Sequence, residues 1–180
     1  LPDGYEVIDV DFSADGRQFV LSVSQMDHIG LWIGSSDGDL REIQGIAMNP
    51  LLGTPVQWLP DQQRLMVLRI PDRGPAPSPP AIPAGPNIME GIGATARSTY
   101  EARNLLETTY DDSLFDYHCI SQPVIIDPAD DDVKVIGDPA HYYSVVFSPD
   151  GQYILAEYVV PPWSHEVAWW RFAKEIEVWD

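Results

Sequence analysis

The sequence of 180 residues carries very little positive charge. Ten Lys and Arg oppose 28 Asp and Glu, which gives a formal net charge of −18. Sequence-independent nucleic-acid binding relies on Lys and Arg that neutralise phosphates, so this balance excludes it. It also excludes docking on an anionic membrane surface. No apolar run approaches the roughly 18 residues that a membrane-spanning helix requires.

Cysteine is almost absent as well, because Cys119 is the only one. A single thiol forms no internal disulfide and supplies no Cys-based zinc site, and it fits a reducing or an oxidising compartment equally well. The hydrophobic fraction of 44% is ordinary for a globular domain. The sequence therefore predicts a folded acidic domain and leaves its cellular location unknown.

One pattern occurs three times, at residues 10–16, 56–62 and 145–151. Each copy is an alternating apolar strand with an aromatic residue, a turn that contains Asp, and a second apolar strand. Pro fixes φ and Gly supplies positive φ, so the turn Ser148-Pro149-Asp150-Gly151 predicts a hairpin. Phe12 and Trp58 are 46 positions apart, which matches the roughly 40–50 residues of a four-stranded propeller blade.

The spacing predicts an all-β fold, a partial β-propeller of about two and a half blades. Residues 1–180 would then be a fragment of one propeller domain. The predicted strands are Val7–Phe12, Phe19–Val23, Gly30–Ile33 and Leu40–Ile43, then Val56–Trp58, Leu65–Ile70, Gln122–Ile126 and Val133–Ile136, and last Ser144–Phe147, Tyr153–Tyr158 and Ile176–Trp179. Such a fragment would expose unpaired edges, because propellers typically close with at least four blades. We therefore expect the natural chain to be longer.

Two insertions interrupt the predicted blades. Residues 71–121 form a Pro-rich insertion within the second blade, where Pro71–Gly93 holds seven Pro and four Gly. This composition favours an extended polyproline-like chain. Short helices are predicted at Thr99–Thr109 and Asp112–Cys119, so the insertion would be partly helical. Residues 159–174 form a smaller insertion in the third blade.

Three sequence patterns resemble catalytic or metal-binding motifs, but a structural role explains each of them better. Gly34-Ser35-Ser36-Asp37-Gly38 matches G-x-S-x-G, yet the chain returns as a strand instead of a helix, which favours a hairpin. The four scattered histidines lack metalloprotease spacing, and we interpret them as structural or surface residues. Asp130–Asp132 lacks the ligand spacing of an EF-hand and is interpreted as a solvated hairpin tip. No metal site and no cofactor is predicted.

The first insertion resembles a stretch of one branch of the prolyl oligopeptidase family, the dipeptidyl-aminopeptidase-like and glutamyl-endopeptidase-like serine peptidases. The resemblance is carried by 69–77 and 80–88. Shorter matches follow in order at 113–117, 121–122, 148–153, 171–172 and 177–180. It covers roughly residues 52–180, with weaker agreement before that.

The resemblance implies a full-length enzyme with an N-terminal propeller and a C-terminal α/β-hydrolase domain. In such enzymes the hydrolase domain carries the Ser, Asp and His of the triad, and none of the matching positions here belongs to it. This chain would therefore be a non-catalytic segment without the triad. It would gate the access of peptide substrates and pack on the hydrolase domain that this chain lacks.

Arg171 and Trp163 are the candidate substrate-binding residues. Arg171 lies beside Trp169 and Trp170, and its guanidinium could grip a peptide carboxylate through two hydrogen bonds. It could equally stack on a Trp or pair with a neighbouring Glu. The three Trp of the second insertion could line a binding surface, or could pack between propeller and hydrolase domain or inside the blade.

A second hypothesis is a non-enzymatic propeller that serves as a scaffold or protein-binding module, since fold alone does not decide function. The distinguishing feature is a downstream hydrolase segment with a true nucleophile elbow.

Overall fold

The computed structural model describes residues 1–80 and 105–180. Its elements are eleven strands, one α-helix and a 3-10 turn. In chain order they are β1 (Glu6–Phe12), β2 (Gln18–Ser24), β3 (Ile29–Ser35), β4 (Leu40–Met48), β5 (Val56–Trp58), β6 (Leu65–Arg69), α1 (Thr109–Cys119), β7 (Gln122–Asp127), β8 (Asp132–Val135), β9 (His141–Phe147), β10 (Ile154–Val159), the 3-10 turn Trp169–Arg171, and β11 (Lys174–Trp179).

The first sheet unit is an antiparallel meander of β1, β2, β3 and β4 in sequential order. The hairpin predicted over Gly34–Gly38 is confirmed. The backbone N–H of Gly38 donates to the carbonyl of Ser35 at 3.0 Å, and Gly38 has a φ of +97°. A left-handed residue closes a tight strand-to-strand turn, so no nucleophile elbow forms there.

The second unit repeats the meander with β5, β6, β7 and β8. A single pair, Met48 with Arg69, links β4 to β6, so the first two units are hydrogen-bonded into one sheet. The first insertion leaves the unit after β6 and returns at β7.

The third unit has three antiparallel strands in the order β9, β10, β11. The backbone groups of Ser121 and Ala140 form two hydrogen bonds of 2.9 and 3.0 Å just before β7 and β9. These bonds tie the third unit to the second. The mostly antiparallel β fold is confirmed; the number of blades stays a prediction.

The predicted aspartate turns form with matching hydrogen bonds. The hydroxyl of Ser13 donates to Asp15 at 2.8 Å, and that of Ser148 donates to Asp150 at 2.6 Å. In the middle copy Asp61 accepts from the backbone of the two residues after Gln62, at 2.9 and 3.1 Å. The pKa of Asp15 is lowered chiefly by the backbone N–H of Arg17, and that of Asp150 chiefly by the hydroxyl of Ser148. Burial opposes the shift at Asp61, but the hydrogen bonds to its ionised form outweigh it and lower its pKa.

Strand β6 is buried on both faces. Leu65 and Val67 belong to the core between the first and second units, whereas Met66 and Leu68 belong to the core between the second and third. Alternate residues of a strand point to opposite faces, so one strand supplies both cores. Each such side chain stabilises the fold by about 1.5–3 kcal/mol.

The predicted helical turn Asp112–Cys119 forms and starts three residues earlier, at Thr109, whereas the predicted helix Thr99–Thr109 is contradicted over 105–108. Residues 99–104 of the predicted helix Thr99–Thr109 lie outside the described residues, and 105–108 are not helical. Thr108 is the N-cap: its side chain accepts from the backbone of Asp111, and the Asp111 carboxylate accepts from the backbone of Thr108. This capping box sets the start at Thr109. The helical turn predicted at Asp112–Cys119 is part of this eleven-residue helix.

Candidate functional site

Both insertions emerge at the same end of the sheets, each between the second and third strand of its unit. The connection from β4 to β5 lies at that end too, since each meander strand reverses direction. We call it the insertion end. The opposite end, the turn end, carries the three aspartate turns.

Four aromatic rings join α1 to the segment 160–173 and to β9. Phe115 of α1 lies 4.8 Å from Trp163 and 5.6 Å from Phe172, measured between ring centroids. The ring of His141 lies 4.8 Å from Trp163 and stacks on Phe115 at 5.7 Å. Aromatic pairs at such separations add about 0.5–1.5 kcal/mol each beyond their buried area. We call these four residues the aromatic junction.

Two carboxylates of α1 strengthen this contact. The indole Nε1 of Trp163 donates to Asp116 Oδ1 at 2.8 Å, and His165 Nε2 lies 2.8 Å from Asp112 Oδ1. Residues four apart occupy one face of a helix, so both carboxylates point to the same partner segment. The segment 160–173 is thus held to α1 at two points.

His141 is largely shielded from solvent at the base of the junction. Burial lowers the pKa of His141, and the charge of Asp116, with an oxygen 3.3 Å from Nε2, opposes that shift in part. Burial has the larger effect on the pKa, because the cost of transferring an imidazolium out of water exceeds its attraction to one half-exposed carboxylate. His141 is therefore neutral at pH 7.

Asn49 fastens the other side of α1. Its side-chain amide donates to the carbonyls of His118 and Ile120 at 2.9 and 2.8 Å. Its own carbonyl oxygen accepts from the backbone of Leu51 at 3.2 Å. Asn49 is only 4% exposed, and it satisfies carbonyls that a helix C-terminus leaves without partners. The sequence predicted no role for Asn49. The only sequence feature that marks this residue is its position as a polar residue directly after an apolar strand.

The thiol of Cys119 lies in the same region, packed against the core beneath the junction. Burial raises the pKa of Cys119 to about 11, and the charge of Asp116 adds to the shift. The thiol therefore stays protonated at neutral pH and is a poor nucleophile.

The structure places the two predicted substrate-binding residues on one loop but in different surroundings. Trp163 is part of the aromatic junction, which favours the packing alternative for it. Arg171 lies in the exposed 3-10 turn, directly before the buried Phe172. The neighbouring Trp170 is 53% exposed. A role of Arg171 and Trp163 in substrate binding stays a prediction.

The acidic tip predicted at Asp130–Asp132 has a partner. Arg41 of β4 donates to both carboxylate oxygens of Asp131, at 2.9 and 2.8 Å, and to the carbonyl of Pro128. The pair crosses from the first unit to the second. Residues 1–80 and 105–180 contain no group of three His, Cys, Asp or Glu arranged to hold a metal.

The described residues also include no helix that is long and apolar enough to span a membrane. Within that same part of the chain, none of the hydrogen bonds joins a serine hydroxyl to a histidine ring.

The chain is similar to known proteins along almost its whole length. The chain is 33% identical over 99% of its length to a probable chloroplastic glutamyl endopeptidase of Oryza sativa subsp. japonica. It is also 33% identical to the corresponding protein of Arabidopsis thaliana. The resemblance to the glutamyl-endopeptidase-like branch of the prolyl oligopeptidase family is confirmed. The chain spans about a fifth of the length of these relatives, and no family model matches it.

Solved structures support the fold. The tricorn protease superposes with a TM-score of 0.53 over 96% of this chain and 13% of its own, at 11% identity. The acylaminoacyl peptidase of Pyrococcus horikoshii superposes with a TM-score of 0.52 over 97% of this chain and 23% of its own, at 14% identity. At these identities the superpositions show the fold alone, and they agree with the mostly antiparallel β architecture.

Proposed function

We propose that this chain is a non-catalytic propeller segment of a serine-type peptidase. It gates the access of peptides and packs against a C-terminal α/β-hydrolase domain that lies outside these residues. The carrying observation is the similarity to glutamyl endopeptidases over 99% of the chain. The insertion end supports it, because both insertions meet there and form one surface.

The same proposal includes the blade count. The three sheet units correspond to two four-stranded blades and three strands of another. The sequential meanders and the two-sided burial of β6 support this division. Ile176 and Val178, 62% and 67% exposed on β11, fit a face that a further blade covers, because large exposed apolar patches mark contacts.

Peptide entry is gated, in this proposal, where α1 meets the segment 160–173. The contact between His165 and Asp112 is partly exposed, and exposed ion pairs are worth up to about 1 kcal/mol. A contact of that strength can open and close on the timescale of substrate entry. The aromatic junction beside it would keep the two insertions together when the outer contact opens.

Arg171 has a role in the proposal as the group that grips a substrate carboxylate from the rim of this surface. A planar guanidinium binds a carboxylate through two parallel hydrogen bonds, and Lys does not reproduce that geometry. In the complete protein, Arg171→Lys should therefore raise KM for peptides with an acidic residue at the cleaved bond and leave kcat unchanged. An equal KM for acidic and neutral peptides in the unaltered protein would contradict this role.

The gating role is tested by comparing substrates of different size in the complete protein. Asp112→Ala removes the outer contact, and we expect the ratio of kcat/KM for a thirty-residue peptide to that for a tetrapeptide to rise roughly two- to fivefold. The matched control is Asp27→Ala, which removes a similar exposed contact to His28 of 2.7 Å in the first unit. Equal changes for both peptide lengths would contradict gating.

The peptidase assignment itself is tested by a fluorophosphonate probe on the complete protein. We expect one serine outside residues 1–180 to be labelled, because an activated serine reacts with this reagent. A folded complete protein without labelling would favour the scaffold hypothesis.

A further inference from the structure

A cleft of about 510 Å³ opens at the insertion end between β1 and the connection from β4 to β5. Its volume lies within the range of roughly 300–1,000 Å³ that small-ligand sites occupy. Most of its wall is apolar, with side chains of Ile8, Ile29 and Leu52 among the lining groups. The aromatic junction and the cleft share one structural support, because Leu52 also packs in the core beneath the junction.

Ser22 lies in the floor of this cleft. The residue is 4% exposed, and its hydroxyl is buried without a hydrogen-bond partner. A buried hydroxyl without a partner is unfavourable, so a hydroxyl in this position favours the binding of a ligand that brings a polar group. A serine hydroxyl can accept as well as donate.

Asp9 brings negative charge to the cleft. It is the cross-strand partner of Ser22, so the two side chains project from the same face, with Cβ atoms about 4.5–5.5 Å apart. One Asp9 oxygen accepts from the backbone of Val10 at 2.9 Å. Across residues 1–80 and 105–180, no ion pair involves Asp9.

Asp11 adds to the potential, because it lies two residues further along β1 and thus on the same face. Burial raises the pKa of Asp11, and the charge of Asp9 raises it further. A positive charge bound near Asp9 would relieve this repulsion.

We propose that the cleft binds the side chain of a lysine in a peptide, with the ammonium group between Asp9 and Ser22. Lysine combines an apolar four-carbon stem with a compact charge that has three donors. The stem would pack along Ile8, Ile29 and Leu52, while the ammonium donates to the carboxylate and to the buried hydroxyl. The inference deepens the proposed peptide-gating function and rests on it, because it names a side chain that the gated peptides carry.

Calorimetric titration of the complete protein, with its reactive serine blocked by fluorophosphonate, tests the site. The probe is the blocked tripeptide N-acetyl-Ala-Lys-Ala-amide, compared with the same peptide containing norleucine or Nε-acetyllysine. Norleucine keeps the stem and removes the charge. We expect the lysine peptide to bind at least about tenfold more tightly than both, as charge-assisted hydrogen bonds require.

Three variants localise the effect. Asp9→Asn should bring the affinity for the lysine peptide down to that for the norleucine peptide, and Ser22→Ala should weaken it about fivefold. Asp37→Asn removes the same charge from the hairpin at the far end of β4 and should change nothing.

Equal affinity for lysine and norleucine peptides in the unaltered protein would overturn the proposal, and this result needs no variant to fold. Full affinity in Asp9→Asn would overturn it too. Equally tight binding of the norleucine peptide with a free N-terminal amine would overturn the assignment to lysine. The peptidase role fails separately, by absence of serine labelling before any peptide is added.

Discussion

The two ends of the sheets are built on different principles. At the turn end, the Asp of each of the three turns accepts a hydrogen bond from the backbone N–H two residues later in the chain. At the insertion end, the decisive contacts join residues 47–71 positions apart, such as Trp163 with Asp116 and Asn49 with Ile120. Local bonds make the three aspartate turns alike, although distant pairs such as Arg41 with Asp131 also join units at the turn end. The insertion end is joined mainly by distant contacts.

This difference separates scaffold from function. The aspartate turns satisfy most of their polar groups within their own residues, although the backbone N–H of Ala14 donates to Gln62 of the second turn at 2.6 Å. Loops are tolerant of insertion and carry binding residues when a rigid scaffold supports them. The insertion end has that arrangement, because α1 rests on Asn49 and on the aromatic junction.

The largest effect is expected from Trp163→Ala, which removes the central ring of the aromatic junction. Truncating a packed Trp costs about 3–5 kcal/mol when it is fully buried, and we expect about 2–3 kcal/mol here because Trp163 is half-buried. Hydrogen exchange of peptides covering α1 in the complete protein measures the loss. The matched control is Trp170→Ala in the same loop, which should leave exchange in α1 unchanged. Equal acceleration by both variants would show that the junction does not hold the helix.

Asn49→Ala comes next, because it leaves two helix carbonyls and one backbone N–H without partners. We expect a loss of about 2 kcal/mol, visible as faster exchange at the C-terminal turn of α1. Asn49→Asp keeps the acceptor for Leu51 but removes the donor, so its loss should be nearly as large. Stability equal to the unaltered protein in Asn49→Asp would mean that the two carbonyls find other partners.

A smaller effect is expected from pH. The pKa of His141 is lower in the folded state than the usual value of 6.5, so the unfolded state binds the extra proton first. Stability from this residue is fully present above pH 6.5 and is lost as pH falls below it. Exchange in α1 should therefore accelerate between pH 7 and pH 5, after correction for the intrinsic rate.

His141→Phe keeps a stacking ring and removes the titration, so it should flatten the pH dependence of exchange in α1. The turn end serves as internal control and should show no change over this pH range. An unaltered pH dependence in His141→Phe would assign the effect to other groups.

The smallest effect is expected from Asp15→Ala at the turn end. Asp15 is exposed, and its bonds serve only the turn between β1 and β2. Exchange should accelerate in residues 13–18, and the thermal unfolding of the complete protein should shift least among these variants. Spread of the acceleration to α1 would contradict the independence of the two ends.

The sequence was a good guide to the strands and the aspartate turns and a poor one to contacts between distant residues. Strand positions and aspartate turns follow from alternation and from Ser, Pro, Asp and Gly, which act on their own neighbours. The start of α1 is also encoded locally, by Thr108 and Asp111, whereas Leu105 and Leu106 predicted a separate helix that ends at Thr109.

Other contacts could not be read from local patterns. The pairing of Arg41 with Asp131 spans 90 positions, and the fourfold ring contact of the aromatic junction draws on three separate elements. The sequence indicates Trp163 only as one of three Trp in the second insertion, and the fold shows that its ring packs against Phe115 and Phe172. Asn49 shows the limit most clearly, because its partners are backbone carbonyls and no side-chain pattern marks them.

Strand β6 has a consequence for the order of synthesis. It pairs with β5, which lies only a few residues earlier in the chain. Its other neighbour, β7, follows much later, because the bonded residues Arg69 and Gln122 are 53 positions apart. At about 5–20 residues per second, the ribosome takes roughly 3–10 seconds to supply β7. During that time one apolar edge of the nascent chain has no native partner, a condition that invites pairing between growing chains. The seven prolines of Pro71–Gly93 are synthesised before β7. Proline cannot donate to a strand ladder, so this segment does not compete with β7 for the exposed edge of β6.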